Sequence, residues 1–148
     1  VLRAPAARRR TISVETRALN RLTILHRDAE RRLSGSIHVE KGGKGLRRAR
    51  YPAARLARAM TAAGAPTRLS IDAGDYLCNQ SLYHSLGLHG LCGFIHVPKP
   101  RILRRPRRMR HAPVSRPSLE EMVQAVAAGL RLLATAARTA RRTGADPT

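Results

Sequence analysis

The sequence predicts an α/β domain with a mostly parallel sheet. Two observations predict it. Apolar segments alternate along the chain between strand and helix patterns, in the order strand, helix, strand, helix, strand, helix, which is what crossover connections of a parallel sheet produce. The helical segments also carry their own start or stop signals. At 148 residues the chain suits a single domain, 1–148, with one core.

The first strand is expected over Thr11 to Leu19, where Ile12, Val14 and Thr16 share one side of an extended chain and Glu15 lies on the other. Leu22 to Leu25 is a short apolar run that could continue it. Arg27 to Arg50 is polar and glycine-bearing and reads as a loop. Within it, Lys41-Gly42-Gly43-Lys44-Gly45 resembles a phosphate loop only superficially, because the spacing and the Lys-Ser/Thr ending are missing. Pro52 to Ala63 reads as a helix: Pro52 suits the first turn, Gly64 suits the position past the end, and Leu56, Met60 and Ala63 form the apolar stripe. A strand over Thr67 to Ile71 follows. A second helix is expected from Asp75 to about Leu86, with Gly87 as its stop, then a strand over Leu91 to Val97, closed by Pro98. Lys99 to Pro117 is basic and proline-broken, a surface loop or a disordered segment. Ser118 starts the last helix. With Glu121 it forms a capping box, in which each residue satisfies an amide left unpaired at the helix start. Leu119, Met122, Val123, Val126, Leu130, Leu133 and Ala137 share one face, and Arg138, Arg141 and Arg142 sit where the helix dipole favours cations.

Composition narrows the functional classes. The formal charge is +20, carried almost wholly by arginine, with lysine only at Lys41, Lys44 and Lys99. Such a charge can mark a nucleic-acid or anionic-membrane partner, but an excess of Arg with Ala also arises from biased coding. With no Trp, three Tyr and one Phe, there is little to stack on bases, so any nucleic-acid binding is expected to be non-specific and salt-sensitive. Two cysteines make no disulfide framework, and a reducing, cytoplasmic compartment is the natural reading. No stretch is apolar enough to span a membrane, and the basic N-terminus lacks the apolar core of a secretory signal. The histidines at 26, 38, 89 and 111 have no metal-ligand spacing. His84 is expected on an exposed helix side, Cys92 as a structural residue, and Tyr76 and Tyr83 as core residues with solvated hydroxyls.

Three residues could carry chemistry. Cys78 follows a strand and the Asp72-Ala73-Gly74 turn, and lies in the first turn of a helix. Ligands of open α/β sheets bind at the carboxyl ends of strands, and the unpaired amides of a helix start favour a thiolate, the attacking form of the residue. Gly74 lets backbone approach closely and could shape an oxyanion site. The competing reading of Cys78 is a small buried hydrophobe. His96 ends an otherwise apolar strand and needs a polar partner; it is either a satisfied core residue or a base. Glu15 is an acidic residue within an apolar strand, otherwise an exposed carboxylate on an edge strand. The three are compatible with a Cys-His-Glu arrangement, but spacing alone does not bring them together.

Asp72-Ala73-Gly74-Asp75-Tyr76-Leu77-Cys78-Asn79 resembles the D-A-G-x-Y-x-C-N signature of pyroglutamyl peptidase I. Phe94-Ile95-His96-Val97-Pro98 is similar to the F-I-H-V-P block of that family, and Glu15 to Asn20 resembles its E-x-x-A-x-N segment. The blocks keep the family's order, and the likeness spans roughly Thr11 to Arg142. The resemblance implies a three-layer α/β/α globule, a cysteine omega peptidase that releases N-terminal pyroglutamate from peptides, and no metal or organic cofactor. It implies Cys78 as nucleophile, His96 as base and Glu15 as the carboxylate orienting it, with Gly74 and Asn79 at the oxyanion or substrate. Homo-oligomers are common in the family.

The chain also departs from the pattern. It lacks the family's opening G-F-x-x-F-G-type segment, whose aromatic side chains help hold the substrate ring; its only Phe is Phe94, and it begins on Val1 without Met. The implied sheet is therefore incomplete at the N-terminus, and weak or no turnover is expected of this chain alone. The segment before Glu15 carries the Arg8-Arg9-Arg10 run in place of an apolar strand and a glycine-rich turn. Leu25 stands where many relatives carry an Arg, with Arg27 as a nearby substitute. Two alternatives follow: a basic nucleic-acid-binding module using Arg8 to Arg10 and Arg104 to Arg110, or an inactive peptidase remnant.

Overall fold

The computed structural model describes residues 9–23, 35–88, 92–101 and 116–143. Five strands and three helices occur among them. A three-stranded sheet has the order β4-β1-β5, formed by β1 (Ile12–Glu15), β4 (Thr67–Ser70) and β5 (Phe94–His96). The central strand β1 pairs parallel with β4, Ile12 opposite Thr67, and antiparallel with β5, Ser13 opposite His96. A second, two-stranded antiparallel sheet joins β2 (Arg17–Leu19) to β3 (Leu46–Arg48).

The expected α/β class is the observed one, and the layers follow from the alternation of β1. Ile12 and Val14 project to one face and form a core with Leu56, Ala57 and Met60 of α1 (Ala53–Ala62) and with Met122 and Ala125 of α3 (Leu119–Thr143). Ser13 and Glu15 project to the opposite face, as side chains on a pleated strand must. On that side, Phe94 packs with Ala18, Ala73, Leu82 and Tyr83, the last two from α2 (Leu77–Leu88).

Three local expectations change. The single strand over Thr11 to Leu19 divides at Thr16. Its amide and hydroxyl both donate to the Ser70 carbonyl, while its own carbonyl accepts from Ala49. The chain therefore leaves one sheet and enters the other. The segment read as a loop up to Arg50 contains β3, and residues 27–34 lie outside the described residues. Helix α2 runs through Gly87 to Leu88. Gly87 is used for a close approach, since a Cβ there would run into the Arg47 guanidinium, which lies over the Tyr83 ring 4.0 Å from its centre.

The helix punctuation is as expected elsewhere. Gly64 has φ +103° just past α1 and donates to Thr61. The capping box of α3 is closed: the Ser118 amide donates to Glu121 Oε2 at 2.6 Å and the Glu121 amide donates to Ser118 Oγ at 3.1 Å. The first of these bonds is the main reason the Glu121 carboxyl is held below its ordinary range. The apolar face of α3 splits: Met122 and Ala125 are buried, whereas Leu119, Val123 and Leu130 remain exposed. The Arg101 amide donates to the Pro117 carbonyl, closing the base of the basic 99–117 segment, whose residues 102–115 lie outside the described residues. The Arg104 to Arg110 run, Arg8, Leu25, Arg27, His26, His89 and His111 lie outside them as well.

Candidate active site

Strand pairing brings Glu15 and His96 to one spot. In the antiparallel ladder Ser13 faces His96 and Glu15 faces Phe94, so Glu15 and His96 are diagonal neighbours on the same face of the sheet. His96 Nδ1 lies 2.8 Å from Glu15 Oε1. Glu15 is wholly buried and the His96 side chain is 10% exposed, so this is an interior pair and not an edge-strand carboxylate. With an ionised Glu15, which can only accept, and a neutral ring, this bond takes the proton on Nδ1 and leaves Nε2 as the acceptor. Nε2 has no hydrogen-bond partner among the described residues. The Phe94 ring stands edge-on to the imidazole, 5.0 Å between centres.

Sequence reasoning missed two residues here. Arg9 Nη1 meets Glu15 Oε1 at 3.4 Å. It belongs to the Arg8-Arg9-Arg10 run weighed as part of a nucleic-acid-binding module, and nothing in the sequence marks Arg9 as the partner of a buried carboxylate. Tyr51 is the other. Its hydroxyl donates to the Glu15 carbonyl at 2.8 Å from inside the core. The hydroxyl is pushed up to about 12, first by burial and then by the Glu15 charge, against an opposing pull from the Phe94 backbone. Tyr51 thus braces the backbone where β1 and β5 meet, and only the fold reveals it.

The Cys78 segment is built by different forces. Strand β4 ends at Ser70, and the turn after it needs Gly74, whose φ is +92°. The Gly74 amide donates to Asp72 Oδ1 at 3.0 Å, so it serves the turn and is not free for an oxyanion. Leu77 opens α2, and Cys78 is its second residue, half-buried with a free thiol. Asn79, expected near the substrate, has another job. Its Oδ1 accepts from the Leu19 amide at 2.9 Å, and its Nδ2 donates to the Leu19 and Arg21 carbonyls at 2.8 and 2.9 Å. At 1% exposure it ties α2 to the end of β2 and the chain just beyond it, and has little capacity left for a ligand. Asn20, the Asn of the E-x-x-A-x-N segment, does the same for the following loop through Glu40 and Gly43.

Cys92 is free and half-buried, His84 is exposed, and the Tyr83 hydroxyl donates to the Lys44 carbonyl from a fully buried ring, so it is not solvated. Among the described residues no group of three or more His, Cys, Asp or Glu could hold a metal ion, and no helix is long and apolar enough to cross a membrane.

Comparison with known proteins identifies the family. The chain belongs to the pyroglutamyl peptidase family, whose family model matches residues 3–137. Pyrrolidone carboxyl peptidase from Thermus thermophilus is 32% identical, with a TM-score of 0.65 over 84% of this chain and 64% of that one. The enzyme of the same name from Thermococcus litoralis shares the fold at 21% identity, with a TM-score of 0.74 over 98% of this chain and 66% of its own. Pyroglutamyl peptidase I from Bacillus amyloliquefaciens does so at 23% identity, with a TM-score of 0.63 over 82% of this chain and 59% of that one. The chain therefore spans a little under two thirds of the length of the Thermus structure. A search of curated protein sequences finds no match.

Proposed function

We propose that this chain carries the catalytic residues of a cysteine peptidase that removes pyroglutamate from the N-terminus of peptides, with Cys78 as nucleophile, His96 as base and Glu15 as the carboxylate that orients it. The observation that carries the reading is the buried 2.8 Å bond between Glu15 and His96. A carboxylate and an imidazole placed in an apolar interior need a reason, because burying them is costly even when they are paired. Family membership supplies one.

The proposed reaction begins with transfer of the Cys78 thiol proton to His96 Nε2. The sulfur attacks the carbonyl carbon that joins pyroglutamate to the next residue, and its electron pair moves to the carbonyl oxygen. Backbone amides at the start of α2 are the proposed donors to that oxyanion. As the intermediate collapses, the carbon–nitrogen bond breaks and the imidazolium returns its proton to the departing amine. Water, deprotonated by His96, then splits the thioester into pyroglutamate and the free thiol. Glu15 holds the Nδ1 proton throughout and stabilises the transient cation. The proposed substrates are pyroglutamylated peptides, the proposed setting is the cytoplasm, where free thiols persist, and the proposed assembly is a homo-oligomer.

The test is hydrolysis of a fluorogenic pyroglutamyl amide. The 148-residue chain is expected to release the fluorophore weakly at most and in a thiol-dependent manner, and Cys78→Ser to abolish what it releases. Release that survives Cys78→Ser, or a Cys78 thiol no more reactive than Cys92, refutes the proposal.

A further inference from the structure

Arg9 lies six residues before Glu15 and is only 18% exposed, with Nη1 directed at Glu15 Oε1. Among the described residues, three buried polar atoms at this spot have no hydrogen-bond partner: Arg9 Nε, Ser13 Oγ and Glu15 Oε2. Leaving such an atom unpaired costs about 1–3 kcal/mol, so stability alone does not favour the arrangement. Two of the three atoms are the unused halves of one ion pair. A guanidinium presents Nε and Nη in a planar fork that matches the two oxygens of a carboxylate. Turning the Arg9 head would set Nε and Nη2, the two donors on one side of the guanidinium, against Oε2 and Oε1 in place of the present Nη1 contact. Glu15 is thus approached by two groups, the imidazole of the base and a permanent cation.

We propose that Arg9 is a positioning residue for the reaction described above, acting through Glu15. The proposal rests on that peptidase reading. The fork fixes the plane of the carboxylate, so that Oε1 stays aimed at the Nδ1 proton of His96. The fixed charge offsets burial of the Glu15 anion, and it also opposes the extra proton that His96 takes from the thiol. That opposition favours handing the proton on to the leaving amine. The other groups facing the pair do not duplicate it. Ser13 and Phe94 carry no charge, and the Tyr51 hydroxyl at the Glu15 carbonyl, pushed up to about 12, is neutral at working pH.

The test uses the full 148-residue chain with Arg9→Gln and Arg9→Lys, and two readouts. The first follows the His96 ring by NMR as pH is varied. In Arg9→Gln the midpoint of ring protonation is expected to rise by about half a pH unit or more, because a nearby like charge is gone. In Arg9→Lys it returns towards the parent value. The second is turnover of the pyroglutamyl amide. Arg9→Gln is expected to lower kcat about tenfold with KM little changed, and Arg9→Lys to recover only part of it, since an ammonium lacks the fork.

A residue with only a structural role would change stability and leave the midpoint in place; that result, in a cooperatively folded Arg9→Gln chain, overturns the proposal. If Arg9→Gln does not fold, Arg9→Lys decides: a kcat equal to the parent's removes the fork from the account. Turnover by the parent with an unmoved midpoint overturns the role of Arg9 alone. A moved midpoint in Arg9→Gln together with parent cleavage that survives Cys78→Ser refutes the peptidase reading, and with it the role of Arg9 in that reaction.

Discussion

Replacing Tyr51 by Phe removes one oxygen atom from the support of Glu15 and keeps the ring that fills the core. At neutral pH the variant loses a buried bond to the Glu15 carbonyl, 2.8 Å long, and leaves that end of the β1–β5 ladder short of a donor. Bonds of this kind contribute about 1–3 kcal/mol when one buried partner is left unpaired, which for a chain of this size lowers Tm by roughly 2 to 10 °C. The loss should itself depend on pH. The Tyr51 hydroxyl ionises near 12 in the folded chain, against an ordinary 10.0. The unfolded chain therefore gives up this proton first. The stability that Tyr51 contributes is complete below pH 10 and declines as the pH rises towards 12, by an amount on the order of 2–3 kcal/mol. Phe has no proton to lose, and the titration of every other group largely cancels in the comparison. Urea unfolding of both chains at pH 8 and pH 11.5, with equal m-values, measures the difference. The effect of Tyr51→Phe should be largest at pH 8 and close to zero at pH 11.5. An effect below about 0.5 kcal/mol at pH 8, or an equal effect at both, refutes the reasoning.

Three further outcomes follow from the same geometry. Asn79→Ala removes three hydrogen bonds to backbone groups of the Leu19 to Arg21 segment and should destabilise the chain by about 2–4 kcal/mol, read by urea unfolding. Gly74→Ala meets open space but must hold φ +92°, so it should cost about 1–2 kcal/mol through backbone strain alone, with no change in m-value. Ser118→Ala opens the cap of α3 and should cost about 1 kcal/mol at neutral pH. Because Glu121 is held below its ordinary range, the stability it contributes is present above the ordinary carboxyl range and lost as pH falls through its lowered value. The gap between the parent chain and Glu121→Gln, which removes the titrating carboxyl, should therefore narrow in acid, measured by thermal melts from pH 7 down to about pH 3.

What the sequence made legible were the features whose causes are local. The Ser118–Glu121 box, the helix that Gly64 ends and the buried apolar residues of β1 are set by neighbours within a few positions. So was the line of descent, because the Cys78 block is a continuous string of residues. Features built by distant partners were hidden. Thr16 looks like one more strand residue until Ser70 and Ala49 compete for its backbone and divide the strand. Gly87 looks like a helix stop until the Arg47 guanidinium occupies the space a side chain would fill. Asn79 stands beside the nucleophile in sequence, yet it turns to the Leu19 to Arg21 backbone because that segment leaves its sheet with unpaired groups. Arg9 and Tyr51 reach Glu15 from positions with no motif around them. The sequence thus pointed to the carboxylate and the imidazole, but not to the groups that hold them.

The most direct test of the account is the alkylation rate of each cysteine, read by mass spectrometry in the parent chain and in His96→Ala. Both thiols are free and half-buried, so Cys92 serves as the internal reference. The account predicts that Cys78 reacts at least about tenfold faster than Cys92 in the parent, and that His96→Ala erases the advantage while leaving Cys92 unchanged. Equal reactivity of the two thiols in the parent chain, or a Cys78 rate that His96→Ala leaves untouched, contradicts it.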